Sequence, residues 1–278
     1  MQIVNTTPMV LKHQIEEAIA KAVADYRKDY PNNTGFTCKC VLNMETMVNL
    51  LLSMQGGSLK KELYDAGIDV TASAFVQQRN KLSWTVFEDA FEHFNANCND
   101  VKKYKGYRVL AIDGTTVNMA RNPKSDSFVQ NDSNPKGYNQ LHVNPLYDVL
   151  NKTYQHCIIQ PQPQMDEVGC LAFYLNLHGK KDDFVKQEIF SAMMIMNFCN
   201  RIVNEIVIKQ KQDNIHEYKV NMKMAMYLCR QFFRTKNADE KKLIKDIAKY
   251  LEPVRPDRRD TRNVKAKSFV GFVYRVSA

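Results

Sequence analysis

The residue of this chain best placed to do chemistry is Asp113. It follows Arg108-Val109-Leu110-Ala111-Ile112 and precedes Gly114-Thr115. The apolar run reads as a buried strand, so its carboxylate would project from a rigid strand end. A hard cation such as Mg²⁺ takes oxygen ligands, usually one or two carboxylates with phosphate and water oxygens. Two such ions about 4 Å apart clamp the attacking and leaving oxygens of a phosphodiester. That device requires several carboxylates converging from different elements. The plainer alternative is an Asp-Gly turn at a strand end. A second group is polar rather than acidic: Gln77, Gln78, Arg79, Asn80 and Lys81 follow a start that Thr71 or Ser73 can cap. A short helix, a Gly-containing turn and a helix rich in long donors resemble a helix-turn-helix, whose second helix enters the major groove. The same pattern fits a solvated helix face in a helical bundle, and pattern alone leans that way. The six histidines have no H-x-x-x-H or H-E-x-x-H spacing, and no Gly-rich phosphate loop points to a nucleotide.

The whole chain favours a polyanionic partner. Its 278 residues carry a formal charge of +9 and a pI near 9.1. Such an excess suits nucleic acid first and an acidic membrane surface second. A hydrophobic fraction of 44% is enough to bury one large core or two smaller ones. The seven cysteines are odd in number and scattered, and Cys38-x-Cys40 is too close for a zinc knuckle. They read as reduced thiols of a cytoplasmic protein. No run of ~18 apolar residues spans a membrane. Lys12, Glu16 and Glu17 interrupt any signal-like core at the N-terminus.

The elements that must position these groups change character along the chain. Apolar residues at helical spacing predict a helix over 9–30, then helices over 43–55 and 58–66, and one from Thr71 or Ser73 through Phe94. After residue 100 the pattern turns to strands: 108–113, 116–120, 141–150 and 153–159, with a loop over 121–137 and a turn near Asn151-Lys152. Pro161 ends the sheet. Long helices follow at 182–210, 217–233 and 238–251, and Phe269 to Val276 could add an edge strand. The fold class is α+β: an N-terminal helical domain, a partial sheet of three or four strands in an antiparallel meander, and C-terminal helices.

Five stretches, in order, carry a resemblance to a known family. They are Ser73-Ala74-Phe75-Val76-Gln77-Gln78-Arg79, Tyr107 to Thr116, and Gly137 to His142 with Leu146-Tyr147-Asp148. Leu177 to Lys181 with Val185 to Phe190 follow, then Val254-Arg255-Pro256 with Lys267 to Val270. Together they resemble the cut-and-paste DDE transposases of the insertion-sequence-four family. The resemblance implies a catalytic domain of ribonuclease-H-like fold and an N-terminal helical domain that binds transposon ends. It also implies Mg²⁺-dependent strand cleavage and transfer. By position, Asp113 would be the first metal ligand, and Gln77, Gln78, Arg79 and Lys81 would face double-stranded DNA. Arg258 and Arg259 of the basic tail are further DNA-binding candidates.

The departure from that pattern is large. Members of the family continue past Pro161 to a second aspartate in an Asp-Arg-Gly context and then to a helix carrying the catalytic glutamate. Neither is found here; within about ten residues, near 167–176, the chain passes to the part that normally follows the glutamate. The chain therefore divides into 1–100, helical and DNA-binding; 101–176, a partial ribonuclease-H-like core; 177–252, helical; and 253–278, a basic tail. Its expected function is that of a transposase-like protein of DNA transposition, defective in catalysis. A non-catalytic DNA-binding module and a decay product of an insertion sequence are the alternatives. A homodimer is open; a membrane or nucleotide partner is not expected. Asp148, Asp166, Glu167, Asp182, Asp183 and Glu188 are the acids that could replace the missing ligands.

Overall fold

Helical spacing of apolar residues builds the first third of the chain. The computed structural model describes residues 7–31, 36, 41–97, 101–161, 181–210 and 216–254. Helix α1 (Pro8–Asp29) begins where the Thr7 hydroxyl accepts from Val10 N, with Pro8 in the first turn. It buries Leu11, Ile15, Ile19, Val23 and Tyr26 of the stripe expected from the sequence, whose last member, Tyr30, is instead exposed at the C-cap. Helices α2 (Met44–Ser53), α3 (Leu59–Asp65) and α4 (Ala72–Arg79) start at Asn43, Ser58 and Thr71, whose side chains cap them in the same way. The single helix expected from Thr71 to Phe94 is instead two, α4 and α5 (Thr85–Ala96). The chain tightens as Lys81 N bonds Gln78 O and Leu82 N bonds Arg79 O, and Ser83 Oγ then accepts from Thr85 N. The break lets Phe75 and Leu82 enter the same core as Phe87, Phe91 and Phe94.

The sheet has three lanes. Its centre is the fifteen-residue β4 (Asn134–Asp148). On one side of it lie β1 (Leu110–Ile112) and β2 (Thr115–Met119), end to end; on the other lie β3 (Phe128–Asn131) and β5 (Thr153–Pro161). All pairings are antiparallel. The loop expected over 121–137 thus contains β3 and the start of β4. Asn131 Oδ1 accepts from Asn134 N and closes that hairpin, a side-chain turn that hydrophobic periodicity does not register.

Helix α6 (Asp182–Val203) is buried nearly all round, and packs against α2, α5 and β5 and against α7 (Met222–Arg234). Its buried polar residues include Gln187, Asn197 and Asn200. It is shorter than the 182–210 expected, because the chain passes into tighter turns at Glu205 and Ile206. The helix expected over 217–233 begins with a strand, β6 (Tyr218–Val220), which pairs with β7 (Leu251–Pro253) after α8 (Glu240–Lys249). Asn221 fixes the boundary, its Oδ1 accepting from Met224 N. The buried residues of the N-terminal helices, the sheet and α6 to α8 form one contiguous cluster. The segments read from the sequence therefore share a core. Among the described residues, no helix is long and apolar enough to cross a membrane. Cys157, Cys199 and Cys229 are buried free thiols, and burial pushes the Cys157 thiol well above its ordinary range.

Asparagine amides fasten α5 and α6 to the β4–β5 hairpin. Asn197 Oδ1 accepts from Tyr154 N at 2.7 Å, and its Nδ2 donates to Tyr154 O at 2.7 Å and to Asn95 Oδ1 at 2.9 Å. Asn200 and Asn204 donate to Lys152 O and Asn151 O. The Asn197 amide thus acts as a peptide unit of a further strand at Tyr154, on the outer edge of β5.

Candidate functional site

Asp113 lies between β1 and β2, and a single register explains why. Ile112 faces Leu146 and Thr115 faces Val143; continuing that register places Asp113 opposite Pro145 and Gly114 opposite Asn144. Odd-numbered β4 residues turn their backbone toward this lane, as Val149 N does in bonding Val109 O. Pro145 has no N–H to give, so the ladder is interrupted at Asp113. The strand expected to be buried is instead exposed: Leu110, Ala111 and Ile112 all face solvent, Ile112 with 76% of its surface. The reason is its place at the edge, paired to β4 alone, while α5 and α6 pack against β5 on the far side. Asp113 is exposed as well. By alternation it shares the face of Thr115 and Val117, the side toward the helices.

The other acids go elsewhere. Asp148 faces Leu110, about 10 Å along the strand from Asp113 by the strand rise and on the opposite face. It is buried and accepts from Arg108 Nε and Nη2 and from Asn151 N and Nδ2. Burial pushes its carboxyl up, but the bonds from Asn151 and Arg108 outweigh that and leave it below the ordinary range. Asp182 accepts from Ser125 Oγ at the start of α6. Glu188 pairs with Arg79. Asp183 is exposed in the first turn of α6. Asp166 and Glu167 lie outside the described residues. Among the described residues no three His, Cys, Asp or Glu side chains assemble into a group that could hold a metal ion.

His142 is a residue that sequence reasoning passed over. It lies on the face away from Asp113, opposite Thr116 and Gln160. It is only 1% exposed, and among the described residues neither ring nitrogen has a hydrogen-bond partner. The ring and the Asn144 amide press on Gly114: a Cβ there would meet Asn144 Oδ1 at 2.6 Å and the His142 ring at 2.8 Å. The Asp113-Gly114 pair therefore has a packing reason for its glycine. Only the alternation along β4 could have signalled that His142 and Gly114 share a face.

The polar helix divides by face. Gln77 and Lys81 are exposed and Gln78 is half-buried. Lys81 Nζ donates to Gln78 Oε1, and Gln77 Nε2 donates to Ser73 Oγ. Arg79, expected to face DNA, points inward instead. It is 8% exposed, and its guanidinium donates to Gln187 Oε1 at 2.8 Å and to Phe184 O and Glu188 Oε1 at 3.0 Å. It also lies over the Phe184 ring. Arginine's planar fork suits such a site, and the residue joins α4 to α6. Arg258 and Arg259 lie outside the described residues, as do Leu177 to Lys180 of the matched motif.

A cavity of about 390 Å³ is lined by Lys12, His13, Glu16, Arg234 and Lys236 with apolar residues from α1, α2 and α7. Its buried cations are already engaged. Lys12 Nζ donates to Phe232 O and Thr235 O at the end of α7, and Arg234 pairs with Glu62 and bonds Ser53 O. No protein-family model, no curated protein and no solved structure matches this chain.

Proposed function

We propose that this chain is a transposase-like, DNA-binding protein that holds a duplex without cutting it. The observation that carries the reading is the position of β1 and β2, which flank Asp113: they form an outer lane of a three-lane antiparallel sheet, and no described strand pairs beyond them. That is the arrangement expected of a ribonuclease-H-like sheet that stops after its third strand, before the elements bearing the other two carboxylates. Mg²⁺-dependent cleavage needs those acids around Asp113, and the described acids that could stand in are Arg-paired, hydrogen-bonded or on another element. The charge of +9 supports a polyanionic partner. Gln77 and Gln78 on α4 and Lys81 in the turn after it remain the side chains offered to a groove. Arg258 and Arg259 would add phosphate contacts from the tail.

The test is fluorescence anisotropy with a labelled 40-bp duplex. Binding at 50 mM salt that weakens by a factor of ten or more at 200 mM is expected, because each phosphate contact releases counterions. Absence of binding at 50 mM would sink the reading. Incubation of supercoiled DNA with the chain and Mg²⁺ should leave it intact; nicking that disappears in Asp113→Ala would reinstate the enzyme.

A further inference from the structure

Upstream of β1 the chain makes a tight hairpin that none of the assignments above uses. Tyr104 N bonds Tyr107 O at 2.8 Å and Tyr107 N bonds Tyr104 O at 2.9 Å. The two residues between, Lys105 and Gly106, have φ of 48° and 85°. Positive φ at both positions makes a type I′ turn, the two-residue connection whose twist matches paired strands. Glycine adopts this freely, whereas a lysine there is uncommon. The base of the hairpin is anchored on both sides. Lys102 N and O bond the Asn151 side chain, Arg108 is held by Asp148, and Val149 N bonds Val109 O. The tip is therefore short, backbone-bonded and tied to the β4–β5 turn.

What it presents is aromatic and cationic. Tyr104 and Tyr107 are 60% and 78% exposed. As a directly opposed pair they share one face of the hairpin. Lys102, Lys103 and Lys105 are exposed beside them, with Lys105 Nζ 5.5 Å from the Tyr104 ring centre. No acidic residue occurs from Val101 to Ile112. Flat rings on a fixed support, interleaved with lysines, match the two needs of an unpaired nucleic-acid strand: faces for its bases to stack on and cations for its phosphates. Phenols and lysines also suit an acidic membrane surface, which vesicle binding distinguishes from a nucleic-acid strand.

We infer that the 102–107 hairpin is a binding site for unpaired nucleic-acid bases, Tyr104 and Tyr107 supplying the stacking faces and Lys102, Lys103 and Lys105 the phosphate contacts. The site rests on the DNA-binding reading above and refines it, since a duplex keeps its bases stacked on one another. The full chain is titrated against fluorescein-labelled dT20 and a 20-bp duplex at 50 mM salt. Tyr104→Ala/Tyr107→Ala should weaken dT20 binding about 10- to 100-fold and leave the duplex within about twofold. Tyr104→Phe/Tyr107→Phe should bind dT20 as the parent does. Replacing the three lysines by glutamine should weaken both ligands and flatten the salt dependence. Equal dT20 binding by parent and alanine variant, with duplex binding intact, overturns the hairpin site alone. Failure of the parent to bind either DNA overturns it together with the DNA-binding reading. Unchanged dT20 binding with loss of binding to vesicles of three parts phosphatidylcholine to one of phosphatidylserine reassigns the hairpin to a membrane surface.

Discussion

Arg79 separates a structural role from a DNA-facing one most sharply. Its guanidinium donates three hydrogen bonds to α6, one of them to Gln187, which is fully buried. Burial lowers its pKa, and the Glu188 carboxylate opposes that shift. Arg79→Ala removes all three donors and leaves Gln187 Oε1 without one. Losing one partner of a buried ion pair costs about 3–5 kcal/mol, because the groups left behind stay desolvated. At roughly 2–4 °C per kcal/mol for a chain near this size, the melting temperature should fall by roughly 6–20 °C. Arg79→Lys should lie between, since an ammonium keeps the charge but lacks the fork that reaches Gln187 and Glu188 together. Circular dichroism melts at 222 nm measure the shift, and duplex binding is read well below the melting point. There Arg79→Ala should bind like the parent. A melting temperature within 2 °C of the parent, with duplex affinity down tenfold or more, would refute the argument and return Arg79 to the DNA.

Three further outcomes follow from single contacts. Asn197→Leu should cost about 1–3 kcal/mol, because the two bonds of its amide to Tyr154 N and O are lost at a buried edge while Asn95 Nδ2 still donates to Tyr154 O; faster amide exchange at Tyr154 should accompany it, and unchanged exchange would contradict the surrogate-strand role. Gly114→Ala should cost about 1–3 kcal/mol by overpacking against His142 and Asn144, and His142→Ala should restore part of that loss in the double variant, which urea unfolding of the cycle measures. Asp148 has a folded-state pKa below its unfolded value near 3.9, so its stabilisation is complete above about pH 4 and is lost as pH falls through the lower folded value. Asp148→Asn should therefore be less stable than the parent at pH 6, with the gap narrowing toward pH 2.5; a constant gap in urea midpoints would show that the carboxylate charge is not what holds Arg108.

The helices were legible because one-sided burial writes a period into the sequence. Leu11, Ile15, Ile19 and Val23 on α1 show it, and Thr71 was legible as a cap for α4. The antiparallel strands after residue 100 and the turn at Asn151-Lys152 were legible for the same reason. What escaped the pattern was set by single polar side chains. Ser83 divides α4 from α5, Asn131 closes the β3–β4 hairpin, and Asn221 hands β6 over to α7. The site was less legible than the fold. Long donors at 77–81 signal a polar helix, yet which of them faces outward depends on Gln187 and Glu188, more than one hundred residues away. The run Leu110-Ala111-Ile112 looks buried because composition cannot say whether a strand has one neighbour or two.

The two edges of the sheet are treated in opposite ways, and the difference bears on Asp113. At the start of β5 the Asn197 amide takes up the outward N–H and C=O of Tyr154. At β1 and β2 no described strand pairs beyond the lane, and Leu110 and Ile112 stand in solvent. Exposed apolar edges invite pairing with other chains. Here the invitation is limited by length. Pro145 interrupts the ladder at Asp113, Gly114 carries no side chain, and the ladder pieces on either side are three and five residues long. A strand added to this edge would have to cross the Asp113-Gly114 break to pair along both pieces. Arg108, the one cation between the hairpin and Asp113, is already paired with Asp148, so the stretch from Val109 to Ile112 that leads to the break is apolar rather than cationic.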